Sequence, residues 1–151
     1  MKFKSVTFCN RKKRINTIYS NNKEYEVHYS ELGIKRNIKN ILIDTETKGL
    51  SLIIELDDGE LNYMPYDQIL YLRKDPEYML KLHIQHIVAD IKKALKEQKI
   101  SKAFLRDALK TSDSQLNRLL DSKKINKNLF QLYKLSNLLK LEPEFCLKKV
   151  A

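Results

Sequence analysis

Residues Ser112 to Arg118, SDSQLNR, gather the side chains of this chain best suited to reading a polar surface. Leu116, Leu119 and Leu120 recur three and four residues apart, so a helix here has one apolar face. At about 100° per residue, Ser114 and Arg118 point away from that face, with Gln115 and Asn117 on its flanks. An arginine so placed presents the donor fork that matches guanine O6 and N7, or braces a phosphate if it lies further out. Ser114, Gln115 and Asn117 suit base edges or adjacent phosphates. Asp113 repels phosphate but can accept a bond from cytosine N4. Lys102 before this stretch, and Lys123, Lys124 and Lys127 after it, supply ammonium groups for phosphate oxygens. A short helix anchored by leucines and displaying this set suits insertion into a major groove.

The charge distribution agrees with that chemistry. The chain of 151 residues carries a formal +10. Residues 1–75 hold 13 Lys and Arg against 11 Asp and Glu, while residues 76–151 hold 16 against 8. The excess basicity lies in the half that carries the Ser112–Arg118 face, as binding to a polyanion requires. Other chemistries find little support. With three glycines there is no phosphate-cradling loop, and no Ser/His/Asp or Cys/His spacing marks a catalytic site, so no enzyme is expected. His83 and His86 lack a third ligand at useful spacing, and neither metal nor cofactor is expected. Cys9 and Cys146 stand far apart and suggest free thiols in a reducing interior. No apolar run suits a membrane span or a secretion signal, which points to a cytoplasmic protein.

The elements that position the Ser112–Arg118 face are legible upstream. Ser101 is an N-cap, and Phe104, Leu105, Ala108 and Leu109 follow as one apolar stripe. Lys110 and Thr111 interrupt the pattern, and Ser112 is a second N-cap. Ile100 to Phe145 therefore resembles a Cro/cI-type (XRE family) helix-turn-helix domain. Ser101 and Lys102 stand where that family's second helix opens with a small N-cap and a Gln. Ser112, Asp113, Ser114 and Gln115 match the small residue and polar triplet that open its recognition helix, followed by Leu116, Asn117 and Arg118. Leu129, Leu132, Leu135, Leu138 and Leu139 match its closing helix. Lys110 stands where the family often has glycine, so the resemblance implies a left-handed backbone there. Arg106 replaces the usual small residue and requires a route to solvent.

The resemblance implies a sequence-specific binder of double-stranded DNA that regulates transcription, as a homodimer reading two half-sites. Such regulators include the antitoxins of toxin–antitoxin pairs. Its DNA-contacting residues would be Lys102, Ser112, Asp113, Ser114, Gln115, Asn117, Arg118, Lys123, Lys124 and Lys127. The alternative is a protein-interaction module that binds a toxin or other partner without reading sequence.

The rest of the chain reads as α+β. Residues 1–74 read as an antiparallel β-rich domain with a period of two from Lys2 to Tyr63: strands near Val6–Phe8, Ile15–Tyr19, Tyr25–Tyr29, Ile38–Asp44, Leu50–Leu56 and Leu61–Tyr63. Turns at Asn10–Arg14, Asn21-Asn22, Thr47–Gly49 and Asp57–Gly59 join them into a small antiparallel sheet or partly open barrel. Tyr19, Tyr25 and Tyr29, near the Arg11–Arg14 charges, suit the core or base stacking. This domain would dimerise, bind an effector or hold a protein partner. Tyr66–Leu72 is a short helix, and Asp75-Pro76-Glu77 opens a long one with Leu80, Ile84, Ile87, Val88, Ile91 and Leu95 on one face. Residues 75–151 thus form a bundle of about five helices, with Phe145 and Leu147 as a final turn or an apolar dimer contact.

Overall fold

The computed structural model describes residues 1–144, 147 and 149. Six strands come first: β1 (Phe3–Cys9), β2 (Arg14–Tyr19), β3 (Glu24–His28), β4 (Ile38–Ile43), β5 (Ser51–Leu56) and β6 (Leu61–Pro65). Five α-helices follow: α1 (Tyr66–Leu72), α2 (Pro76–Glu97), α3 (Lys102–Leu109), α4 (Asp113–Leu120) and α5 (Leu129–Leu138). The fold is α+β, with the strands ahead of the helices. It divides into two units, Met1–Tyr78 and Met79–Ala151. No helix among the described residues is long and apolar enough to cross a membrane. The expected apolar contact at Phe145 falls outside the described residues, and Leu147 is exposed.

The strands form two three-stranded antiparallel sheets, β1-β2-β3 and β4-β5-β6, rather than the single sheet or barrel expected. Short turns pair neighbours within each half. Between β3 and β4 the chain instead makes a 3-10 turn (Tyr29–Leu32) closed by Gly33 at φ 71°, which ends the first sheet. The two sheets still share one core. Phe3, Ile15, Tyr19 and Val27 meet Ile38, Leu52, Ile54 and Met64, with Ile69 and Leu70 of α1. Alternation explains these identities, because each strand turns every second residue inward. Leu50, the first residue of the strand expected over Leu50–Leu56, lies before β5 and is exposed, with its N–H bonded to the Thr47 carbonyl of the turn.

One side chain joins the sheets where main-chain pairing does not. The Asn10 Nδ2 donates to the Ile38 carbonyl at 2.8 Å, and its Oδ1 accepts from the Ile38 N–H at 2.8 Å. The same Oδ1 accepts from the hydroxyl of Tyr29 at 2.9 Å. Tyr29 and Ile38 are buried, so these groups have no water to fall back on. The tyrosines are therefore structural. Tyr19 and Tyr29 are core residues, and the Tyr25 hydroxyl donates to Asp75 at 2.6 Å, which removes them as a base-stacking platform. Asn10→Ala leaves three polar groups without a partner and should lower stability by about 1–3 kcal/mol in urea unfolding. A loss below about 0.5 kcal/mol would show that the amide does not bridge the sheets.

Two carboxylates hold the helical end of this unit. Asp75 is buried; its Oδ1 accepts from the Tyr78 N–H at 2.8 Å and so caps α2, and its Oδ2 accepts from Lys23 Nζ at 2.7 Å. Burial alone would raise its pKa, but the bonds from Lys23, Tyr25 and the Tyr78 N–H outweigh it and lower the pKa. Glu31 accepts two bonds from Arg73, each 2.6 Å, and one from the His28 N–H; the Arg73 bonds chiefly lower its pKa to about 2. Both groups titrate lower in the folded state, so their stabilisation is complete above the ordinary carboxylate range and is lost as pH falls towards about 2. The urea midpoint should hold steady above about pH 5 and fall between about pH 4.5 and 2. Arg73→Gln should make that fall shallower, and an unchanged slope would exclude Glu31 as a source of it.

Candidate nucleic-acid interface

The second unit is built around Leu105, Leu109, Leu116, Leu119, Leu120, Leu132 and Leu135, with Ile91 and Ala94 of α2. In α2, Ile84, Val88, Ile91 and Ala94 are the buried set, while Leu80 is exposed. The α3 stripe is narrower than expected. Leu105 and Leu109 are buried, whereas Phe104 is 54% exposed and Ala108 is also exposed. On α5, Leu132, Leu135 and the following Leu139 are buried, while Leu129 and Leu138 are exposed. An eight-residue helix in a small bundle meets its neighbours along one i, i+4 line, so flanking apolar positions remain outside.

The turn that sets α4 against α3 is the left-handed one expected at Lys110. Ser101 caps α3, its hydroxyl accepting from the Phe104 N–H at 3.1 Å. At the far end Lys110 has φ 50° and ψ 53°. This conformation lets the Thr111 N–H reach back to the Arg106 carbonyl at 3.1 Å, and the Lys110 N–H to the Asp107 carbonyl. Ser112 then caps α4, its hydroxyl accepting from the Gln115 N–H at 3.2 Å. Ser112 is thus a structural cap that fixes where α4 begins.

The α4 leucines all face inward, as their spacing requires, and Asp113, Ser114, Gln115, Asn117 and Arg118 are all exposed. These side chains differ in how free they are. Arg106 lies half-exposed and reaches solvent over the turn, its Nη1 3.3 Å from the Asp113 carboxylate. That pair offsets the negative charge at the start of α4. Gln115 accepts from the Thr111 hydroxyl at 2.8 Å, which orients its amide and leaves the NH2 group to donate outward. Asn117 accepts from Lys102 Nζ at 3.1 Å, so Lys102 is joined to α4. Arg118 enters no ion pair among the described residues. Beside it a cleft of about 300 Å³ is lined by Gln115, Arg118, Asn126 and Asn128 among others.

The four lysines divide by role. Lys123 and Lys124 are exposed in the loop after α4, where the Lys123 N–H and the Lys124 N–H both bond Asp121. Lys127 is different. Its Nζ donates to the carbonyls of Arg118 at 2.6 Å and Asp121 at 2.5 Å, closing the C-terminus of α4. Burial lowers its pKa by disfavouring the ammonium. Lys127 is therefore corrected from a phosphate contact to a positioning residue, because its donors are engaged by main-chain carbonyls. Arg106, Thr111 and Asn126 also border this face, beyond the residues expected to contact DNA. Arg106 stands seven residues before Asp113, and only the left-handed turn brings the two together. Among the described residues, His83 and His86 join no group of three or more potential metal ligands.

No protein-family model, curated protein or solved structure matches the chain.

Lys110→Gly tests the geometry on which this face depends. Glycine enters the left-handed region without the Cβ clash that other residues meet there. Stability should be unchanged or rise by up to about 1 kcal/mol in urea unfolding. A loss of about 0.5–1 kcal/mol, the cost of glycine inside a helix, would mean that the turn is not left-handed.

Proposed function

We propose that the second unit is a helix-turn-helix domain that binds double-stranded DNA in a sequence-specific way, with α4 in the major groove. The chain would act as a transcriptional regulator in a two-fold pair, because one short helix reads only a few base pairs and a pair of half-sites supplies the remaining specificity. The observation that carries this reading is the division of α4 into three buried leucines and an exposed polar face ending in Arg118, which enters no ion pair among the described residues. Two further features support it. The Arg106–Asp113 pair removes the net negative charge that would oppose a phosphate backbone at the start of α4. Residues 76–151 also hold most of the basic excess.

Roles follow from the geometry. Arg118 would pair with guanine, and Ser114, Gln115 and Asn117 would meet base edges or the nearest phosphates. Lys123 and Lys124, with no carbonyl to hold their ammonium groups, would contact phosphates, and Arg106 would join them when it exchanges Asp113 for a phosphate. The competing reading, a protein-interaction module, is favoured by the exposed apolar side chains Phe104, Leu129, Phe130 and Tyr133.

The experiment begins with selection of duplexes from a random pool, followed by titration at several salt concentrations. Arg118→Ala should lower specific affinity by about 1–3 kcal/mol and leave random-sequence binding nearly unchanged. Lys124→Ala should weaken all sequences alike and reduce the salt slope by about one unit. Failure of the wild type to enrich any sequence would reject DNA reading in favour of the interaction module. Enrichment with both variants behaving alike would make Arg118 a phosphate clamp and pass base reading to Ser114, Gln115 and Asn117.

A further inference from the structure

We infer that β6 is a self-pairing edge strand, through which two copies of this chain join their second sheets into one six-stranded sheet. The two sheets have four edges. Those of β1 and β4 are joined by the Asn10–Ile38 bonds, and the Phe3 N–H donates to the Gly49 carbonyl beside β4. The edge of β3 carries Glu24 and Glu26, and the Arg73 guanidinium covers the Glu26 carbonyl with bonds of 2.9 and 2.7 Å. On β6 the one interruption is Pro65, at its end. Its sequence, LNYMP, contains no charge, and exposed edges ordinarily carry one to prevent pairing.

The ladder shows which groups β6 leaves free. The Leu56 N–H bonds the Glu60 carbonyl and the Tyr66 N–H bonds the Leu50 carbonyl, so these are bonded pairs of the β5–β6 ladder. Bonded and non-bonded pairs alternate, so Asn62 and Met64 direct their main chain towards β5. Leu61 and Tyr63 then direct their N–H and carbonyl groups outward, whereas the carbonyl of Pro65, the N-cap of α1, is taken by the first bond of that helix. A two-fold axis at Tyr63 matches this set to itself. The Tyr63 N–H would donate to the carbonyl of the partner's Tyr63. With the reciprocal bond this makes two at the axis, and Pro65, which has no N–H and whose carbonyl caps α1, falls at the ends of the junction.

Side chains favour a second copy as the occupant. Leu42, Ile53 and Tyr63 stand opposite one another across the second sheet, and Leu42 and Tyr63 are 55% and 64% exposed. Two-fold pairing would bring the two Tyr63 side chains together and make these rows continuous, adding aromatic and aliphatic cross-strand contacts. Electrostatics selects the same place. Residues 1–78 hold 13 Lys and Arg against 12 Asp and Glu, whereas residues 79–151 hold 16 against 7. Two copies meeting through the first unit avoid the like-charge repulsion that contact through the second would bring. The inference gives the two-fold pair of the proposed function a surface, but it rests on the strand alone and needs no DNA.

The test is sedimentation velocity of the full chain without DNA, over a range of concentration and at two salt concentrations. The wild type should reach twice the 17.9 kDa chain mass. Tyr63→Lys should set two like charges against each other at the axis, and Tyr63→Pro should remove both bonds there. Neither removes a β5–β6 bond, because the Tyr63 N–H faces outward. Both variants should keep the wild-type circular dichroism and sediment as monomers. Amide exchange at Tyr63 should slow as the wild-type concentration rises, which reports the strand itself even if a variant fails to fold. A monomeric wild type, variants that remain dimeric, or a Tyr63 amide whose exchange ignores concentration would each overturn the inference. Loss of DNA selection with a persisting Tyr63-dependent dimer would reject the proposed function and leave this one standing.

Discussion

The arrangement of the helices rests on left-handed backbone at their ends. With three glycines in the chain, a lysine one or two residues beyond α1, α2, α3 and α5 takes this conformation: Lys74, Lys99, Lys110 and Lys140 have φ between 50° and 56°. In each case the next residue's N–H returns to the carbonyl five residues earlier, as from Ile100 to Leu95 and from Leu141 to Ser136. The cost of a Cβ in this region is offset by main-chain bonds that the helix end otherwise lacks, and by a cation near its negative pole. Ile100 and Leu141, which follow two of these turns, pack against the second core. The turns therefore both end helices and aim the chain back into the bundle.

α4 is the helix that ends differently, and the difference bears on function. Asp121 after it is extended, and Lys127 closes the helix with its ammonium instead. The loop from Asp121 is thereby folded back along the helix, which places Lys123 and Lys124 outside and Asn126 beside Arg118 in the cleft. One half-buried lysine thus organises the basic loop, while its exposed neighbours lie outside.

The same selection of partners runs along the polar face of α4. Asp113 is paired by Arg106, Asn117 by Lys102 and Gln115 by Thr111, each from α3 or the turn. These contacts are exposed and add little to stability. Their effect is on orientation, since a side chain already held in one rotamer loses less freedom when it meets a ligand. Ser114 and Arg118 stand outside these pairs, so the surface combines held amides with an exposed guanidinium.

Periodicity alone determined much of this protein. The alternation in residues 1–74 fixes which strand residues face inward, and the leucine spacing at 116, 119 and 120 fixes which face of α4 is polar. Both follow because strand and helix geometry depend on local main-chain angles. The caps at Asp75, Ser101 and Ser112 and the left-handed Lys110 were legible for the same reason, being contacts within a few residues. Only the tertiary structure decided what depends on distant segments meeting. The division into two sheets, the Asn10 bridge to Ile38 and the burial of Asp75 by Lys23 and Tyr25 join residues far apart in sequence. The narrow stripes of α3 and α5 depend on how closely neighbouring helices approach, which an apolar pattern does not specify. The fate of Lys127 was hidden for that reason too: a lysine in a basic loop has the same chemistry whether it meets a phosphate or a helix end, and the fold of the loop places the carbonyls of Arg118 and Asp121 within its reach.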